Sequence, residues 1–142
     1  VGRKIPMHGG RALRQLLADV QGFIEQMQDD SAKAQLRTAV GHVQEAVGWL
    51  MMNAMADREQ AGAAATPLLK LFGLVIVGYL IAQGAQVASA KLAAGDARED
   101  FLKAKVLARD FYFAEYLVGT SALLATIKAG KTHLMAFSEA QL

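Results

Sequence analysis

Cysteine is absent from the 142-residue sequence, and proline occurs only twice. Without cysteine there is no disulfide framework and no thiolate metal site, and nothing in the composition points to secretion. Aromatic residues make up only 7% of the chain while 54% of its residues are hydrophobic, which excludes a disordered chain. The net charge of +2 is too small to indicate a nucleic-acid partner. The length suits one domain around one core.

The first ten residues, VGRKIPMHGG, contain glycine and proline at positions typical of an irregular connection. No basic segment is followed at once by an apolar one, so we expect no signal peptide, and the stretch looks like a linker from within a longer protein. Arg3, Lys4, Arg11 and Arg14 make this end basic. We expect a solvated linker; contact with an acidic neighbour or a phosphate is the alternative.

The most apolar stretch runs from Thr66 to about Gly95, and its middle, Leu71 to Ala82, carries no charge. A helix that is apolar all round is expected to be surrounded by the rest of the chain or by a partner. The apolar run is about 12 residues long, whereas a bilayer span needs roughly 18, so we expect a central soluble helix and no transmembrane segment. Thr66 is its predicted N-cap, Pro67 its first helical residue and Gly95 its end.

Small residues recur along this helix at spacings of four, three and four, which places them on one face: Gly78, Ala82, Ala85 and Ser89. Such a face predicts the close approach of another backbone. The alternative is a composition rich in alanine and glycine with no packing role.

Three further helices are predicted because apolar residues recur every three or four positions. Together the four predicted helices cover residues 11–28, 31–60, 67–93 and 97–130. Ser31 or Asp30 caps the second helix, 62–65 is a loop, and Asp96 with Glu99 forms a capping-box-like pair before the fourth. Short connections predict an all-α, up-down-up-down four-helix bundle over 11–131, preceded by a 1–10 linker and followed by a 132–142 tail whose order the sequence does not decide.

Four large side chains widen the apolar stripe near the end of the second helix: Trp49, Met51, Met52 and Met55. Methionine adapts its shape to fill gaps between other side chains. We therefore expect these residues to pack in the core or in an interface; a binding surface is the alternative.

Candidate chemistry is sparse. His8, His42 and His133 are not spaced as metal ligands, and His42 with Glu45 reverses the order of a Glu-x-x-His pair. Glu115 is the only acid set among aromatic residues, and we expect it to be solvated or bonded to a tyrosine. The GKTHL segment, 130–134, lacks the earlier glycine and the strand of a phosphate-binding loop. We therefore predict no catalytic, cofactor-binding or metal-binding residue.

Two stretches nevertheless resemble a known family. VGRKIPMHGGRALR is similar to the segment that follows the flavin-binding end of long bacterial acyl-CoA dehydrogenases. KLFGLVIVGYLIAQGA and FLKAKVLARDFYFAEYL resemble the helical domain at the C-terminus of those enzymes, the acetyl-CoA dehydrogenase C-terminal-like domain. The matching residues in the two helical stretches are Leu71, Phe72, Gly73, Gly78 and Tyr79, and Lys105, Ala108, Arg109, Phe111 and Phe113.

The resemblance implies a non-catalytic structural and association domain of an FAD-dependent enzyme that dehydrogenates acyl-CoA thioesters between their α and β carbons. It further implies that the catalytic glutamate and the flavin site lie before Val1, in a preceding dehydrogenase core. A homo-oligomer and a cytoplasmic location are expected on the same ground, and no FAD is expected in this chain alone. The alternative is an independent helical bundle that binds an apolar ligand or a partner helix.

Overall fold

In the computed structural model, residues 10–141 are described, and over this range the regular structure is entirely helical. The predicted linker, with His8 and the basic residues Arg3 and Lys4, lies almost wholly outside the described residues. Five α-helices follow one another: α1 Arg11–Gln26, α2 Asp30–Asn53, α3 Arg58–Ala93, α4 Glu99–Glu115 and α5 Thr120–Ala129. In the tail, predicted as 132–142, only Glu139–Gln141 forms a short 3-10 helix.

The predicted all-α four-helix bundle is confirmed, with α4 and α5 together taking the place of the fourth helix. The single helix predicted over 97–130 is wrong in one respect, because a 3-10 turn at Leu117–Gly119 interrupts it. The Thr120 hydroxyl donates to the Leu117 carbonyl at 2.8 Å within this turn. The turn divides the predicted fourth helix into α4 and α5, while buried residues continue through it from Phe113 to Leu117 and Leu124.

The predicted start of the central helix is also wrong. α3 begins at Arg58, where the Asp57 carboxylate accepts from the Glu59 backbone N–H at 3.0 Å, and α2 ends at Asn53 instead of continuing to residue 60. The segment 62–65 is helical because its alanines favour helix more than a loop. Pro67 lies inside α3, where it removes one backbone hydrogen bond.

Helix ends elsewhere differ in the residue that caps them. Asp29, not Ser31 or Asp30, is the N-cap of α2, and its side chain accepts from the Ala32 backbone N–H at 2.9 Å. The predicted capping box before α4 is absent, because the Asp96 carboxylate instead accepts from the backbone N–H and the guanidinium of Arg98. Gly95 ends the α3 segment with a positive φ of 78°, as predicted.

The core lies between α3 and the other helices. Gly78, Ala82 and Ala85 are buried, and a Cβ added at Gly78 would lie 3.2 Å from the Leu117 side chain. The small-residue face therefore packs closely at Gly78, but against side chains, and the predicted close approach of another backbone stays a prediction. Ser89 is exposed and lies beyond this contact. The largest fully buried side chains of the core are Phe113, Ile24, Leu36, Leu68, Leu71 and Ile127.

Within residues 10–141, α3 alone is long and apolar enough to cross a membrane by length and composition, and only 28% of its most apolar window is buried. The prediction that its apolar run is too short counted the uncharged stretch from Leu71 to Ala82, but the helix extends beyond this stretch at both ends. In the fold, one face of α3 packs in the bundle core.

Candidate functional site

A long apolar surface runs along the outward face of α3, defined by Leu69, Gly73, Ile76, Val77, Leu80, Gly84 and Val87. Leu69, Leu80 and Val87 are 74%, 56% and 57% exposed. Lys70 and Lys91 flank this face, and between them α3 carries no charged residue. The helix was expected to be surrounded by the rest of the chain or by a partner. The other helices cover only one side of it, so burial of the helix by its own chain alone is excluded, and its covering by a partner stays a prediction.

Three aromatic side chains form a group at the end of α4. The Tyr112 hydroxyl donates to the Leu74 carbonyl at 3.1 Å, which fixes α4 against α3. Tyr116, the C-cap of α4, stacks on Tyr112 with ring centroids 5.4 Å apart and meets Phe111 edge-on at 5.9 Å. Phe111 and Tyr116 are more than half exposed. The domain thus exposes an aromatic group in addition to the outward face of α3.

A second apolar surface lies at the end of α2, where Met51, Met52 and Met55 are exposed. These methionines were predicted to pack in the core or in an interface, and the core is excluded, although Trp49 is partly buried against it. The turn after α2 begins at Ala54, so they lie around the end of this helix. Their exposure is compatible with packing in an interface and with the alternative, a binding surface.

Most of the residues considered for metal or acid–base chemistry lie on the surface. Glu115 and His133 are exposed, and Glu45 pairs with Lys128 at 2.6 Å. That ion pair holds the pKa of the Glu45 carboxyl below its usual value, through the hydrogen bond and the charge of Lys128. Over residues 10–141, no group of three or more metal-ligating side chains comes together.

His42 has a definite partner that the sequence does not reveal. Its Nδ1 lies 2.9 Å from the Thr120 hydroxyl oxygen, which already donates to the Leu117 carbonyl. Because a hydroxyl has one proton, Thr120 accepts from His42, and Nδ1 therefore carries the hydrogen. The bond ties α2 to the start of α5, beside a groove of about 340 Å³ that Phe113 and Val118 also line.

The GKTHL segment forms a clasp instead of a phosphate site. Lys131 pairs with Asp57 at 2.6 Å and with Glu59, and its backbone N–H donates to the Gln60 side chain at 3.0 Å. The hydrogen bonds to Asp57 and Glu59 raise the pKa of the Lys131 ammonium group. Gly130 adopts a φ of 66° to make this turn. The clasp joins the end of the bundle to the start of α3.

Arg109 is the buried charge that the sequence interpretation missed. Its guanidinium donates to Asp29 at 2.6 Å and to Asp110 at 2.7 Å. Arg109 follows Leu102 and Val106 at helical spacing on the inward side of α4. This spacing is the feature of the sequence from which its burial could have been predicted. A groove of about 440 Å³ lies beside Arg109, and Arg109 is the one cation among the residues that line it. Because Asp29 and Asp110 already neutralise this cation, the groove does not suit an anionic group such as a pyrophosphate.

Comparison with known proteins agrees with this architecture. The family described as acetyl-CoA dehydrogenase C-terminal like matches residues 16–138, which include all five helices of the bundle except the first turn of α1. No curated protein matches the chain. The motif residues Leu71, Phe72, Gly73, Gly78 and Tyr79 and the α4 residues around Arg109 lie within the matched range. The chain belongs to the acetyl-CoA dehydrogenase C-terminal-like family.

Proposed function

We propose that this chain is a non-catalytic structural and association domain of an FAD-dependent acyl-CoA dehydrogenase. The observation that carries the proposal is the family match over residues 16–138. The parent enzyme would remove hydrogen from the α and β carbons of an acyl-CoA thioester. Its dehydrogenase core would supply the catalytic base and the flavin, and this domain would pack against protein surfaces.

The distribution of apolar and charged residues supports an association role. Monomeric proteins seldom expose large contiguous apolar surfaces, which mark sites of interaction. Here the outward face of α3 exposes a row of apolar residues with no charge between Lys70 and Lys91, and the end of α4 exposes an aromatic group. The buried charge of Arg109, in contrast, joins α4 to the start of α2. The candidate acid and base residues, Glu115, Glu45 and His42, are spread over α2 and α4.

In this proposal the FAD binds to the dehydrogenase core and not to this chain. The enzyme is proposed to be cytoplasmic. The test is to purify the 142-residue chain and to measure its flavin absorbance and its acyl-CoA dehydrogenase activity. We expect a colourless protein without activity. Stoichiometric yellow flavin in the purified chain would contradict the proposal.

A second candidate function is binding of an apolar ligand or partner helix by the bundle alone. The exposed methionines of α2 favour it, because methionine-rich surfaces adapt to varied apolar partners. Native mass spectrometry of the purified chain distinguishes the two functions. A mass of 15.2 kDa per chain without an adduct, in any oligomeric state, is expected for the association domain, and a co-purified lipid or acyl chain would favour the ligand-binding bundle.

A further inference from the structure

Six large apolar side chains are exposed at one end of the bundle, where α2 leads into α3 and where the chain leaves α5. Together they form what we call the end surface: Met51, Met52, Met55, Leu134, Met135 and Phe137. Each of these residues is between 48% and 85% exposed. Three of them belong to α2 and the turn after it, and three to the segment after α5. The end surface is therefore assembled from two parts of the chain that are far apart in sequence.

The clasp holds these two parts side by side. Lys131 pairs with Asp57 at 2.6 Å, and Met55 precedes that aspartate by two residues. The backbone N–H of Met135 donates to the Lys131 carbonyl at 2.9 Å, so Leu134 and Met135 lie on the turn that begins at the clasp. The methionines after α2 and the apolar residues after α5 thus share one support, which is held by ion pairs.

The chain enters the domain at the same end. A short connection joins α1 to α2, and Gln21 of α1 lines a groove together with Gln44 of α2, so the two helices are antiparallel. Arg11, where α1 begins, is ten residues before Gln21, and Ala54, where α2 ends, is ten residues after Gln44. Both distances are about 15 Å along a helix. The first residue of α1 therefore lies at the level of the end surface.

The length of the preceding stretch keeps a dehydrogenase core close to this end. In the proposed enzyme the core precedes residues 1–9, and nine residues reach at most about 30 Å even when fully extended. A tether this short gives an effective concentration in the millimolar range. A contact with the core consequently needs less affinity of its own than a contact between separate molecules.

The area of the end surface suits a contact between domains of one chain, which buries about 600–1,500 Å². A large apolar side chain presents roughly 150 Å². At the observed exposures, the six side chains therefore offer on the order of 600 Å² on this side of the contact. Four of the six are methionines, whose flexible side chains fill irregular gaps in an apolar contact.

We infer that the end surface docks on an apolar patch of the dehydrogenase core to which residues 1–9 connect the domain. The inference rests on the proposed function and adds to it the surface of this domain that the core covers. In this arrangement the methionines pack in an interface, and the outward face of α3 is not the contact with the core.

Oxidation by dilute hydrogen peroxide tests the inference, because the rate at which a methionine forms its sulfoxide follows its exposure. In the 142-residue chain, Met51, Met52, Met55 and Met135 should be oxidised rapidly, and Met27, which is 6% exposed, slowly. In the native enzyme captured from source cells, the same four should react at least about tenfold more slowly. The rate of Met27 is the internal control and should be the same in both samples. Mass spectrometry of peptides measures the initial rate at each methionine.

Substitutions in the full-length enzyme test whether the contact depends on the end surface. Met52→Gln with Met55→Gln should release the domain and return the oxidation rates of Met51 and Met135 to those of the 142-residue chain. Leu80→Gln, at a residue 56% exposed on the outward face of α3, is the matched control and should leave both methionines protected. The double substitution should not change the melting temperature of the 142-residue chain, because both side chains are exposed. This measurement separates loss of the contact from loss of the fold.

A captured flavoenzyme whose methionines react as fast as those of the 142-residue chain would overturn the inference and leave the proposed function intact. A captured protein with a mass near 15.2 kDa would overturn the proposed function, and the inference with it. Protection that appears in the 142-residue chain as its concentration is raised would place a second copy on the end surface, against the inference. Hydroxyl-radical labelling also reads aliphatic side chains. Protection of Leu80 and Val87 without protection of the methionines would place the core on α3 and would likewise overturn the inference.

Discussion

The Arg109 guanidinium on α4 lies 2.6 Å from the carboxylate of Asp29, which is at the same time the N-cap of α2. One carboxylate thus satisfies a backbone donor at the start of a helix and a buried cation from a different helix. Arg109 is buried while Asp29 is partly exposed. The pair fixes the turn between α1 and α2 against α4 at the start of α2, whereas the clasp at Lys131 lies beyond the end of α2.

Replacing Asp29 with alanine should lower the free energy of unfolding by about 1–2 kcal/mol, from the lost cap and from the partner lost to Arg109. For a domain of this size the melting temperature should fall by roughly 3–7 °C. Thermal denaturation followed by circular dichroism measures the change. Asp30→Ala, on the neighbouring exposed residue, is the control and should change stability by only a few tenths of a kcal/mol. Equal effects of the two substitutions would show that the pair does not support the fold.

The ionisation of the Asp29 carboxyl is expected to make the free energy of unfolding depend on pH. The backbone N–H of Ala32 and the charge of Arg109 lower the pKa of Asp29, against the opposing effect of partial burial. A carboxyl whose pKa is lower in the folded state stabilises the protein above its unfolded pKa of about 3.9, and that stability is lost as the pH falls further. The difference in melting temperature between wild type and Asp29→Asn should therefore be constant from about pH 7 to 5 and should narrow below about pH 4. A difference that is unchanged at pH 3 would contradict this assignment.

Gly130 should tolerate a side chain less well than Gly95, although both have positive φ values, 66° and 78°. A Cβ at Gly130 would lie 2.5 Å from the side-chain oxygen of Gln60, whereas at Gly95 it would meet nothing within 4 Å. Gly95→Ala should cost about 1 kcal/mol from backbone strain alone, and Gly130→Ala about 2–3 kcal/mol because the clasp must shift as well. Chemical denaturation of both variants measures the difference. If Gly130→Ala lowers the free energy of unfolding no more than Gly95→Ala does, the Gln60 side chain moves aside freely.

His42 should be the tautomer with its hydrogen on Nδ1, because the Thr120 hydroxyl already donates to Leu117. Nitrogen chemical shifts of the imidazole ring, measured by NMR at neutral pH, distinguish the two tautomers directly. Thr120→Val should remove this preference and destabilise the fold by about 1–2 kcal/mol, since a buried donor loses its partner. Thr126→Val is the control, because Thr126 is exposed and bonds only its own helix. A hydrogen on Nε2 in the wild type would refute the assignment.

Helical periodicity predicts the fold class well here, because the apolar stripes of α1 and α2 and the small-residue face at Gly78 are local features. The limits of α3 could not be predicted in the same way. Thr66 and Pro67 have the local character of a helix start, but the alanines before them and the Asp57 cap allow the helix to begin earlier. The break at Leu117–Gly119 lies beside a contact with α2, between Thr120 and His42. Helical periodicity within one segment does not predict such a contact between segments.

The candidate surface was harder to predict than the fold. An apolar helix can be buried by its own chain or by a partner, and composition does not distinguish these cases. Only the packing of α3 shows that Leu69, Leu80 and Val87 are exposed while Leu68 and Leu71 are buried. The methionines at the end of α2 present the same ambiguity, because helical spacing does not tell a stripe that is buried in the core from one that is exposed on the surface, and Met51, Met52 and Met55 are exposed.

Under the proposed function, this domain is part of a flavoenzyme much larger than the 15.2 kDa chain. An antibody raised against the chain should be used to isolate the native protein from source cells, and the captured protein's mass and flavin absorbance should be measured together. A band several times heavier than 15.2 kDa that carries flavin is the result that the proposed function predicts. A band near 15.2 kDa without flavin would contradict it and would make the ligand-binding bundle the better account.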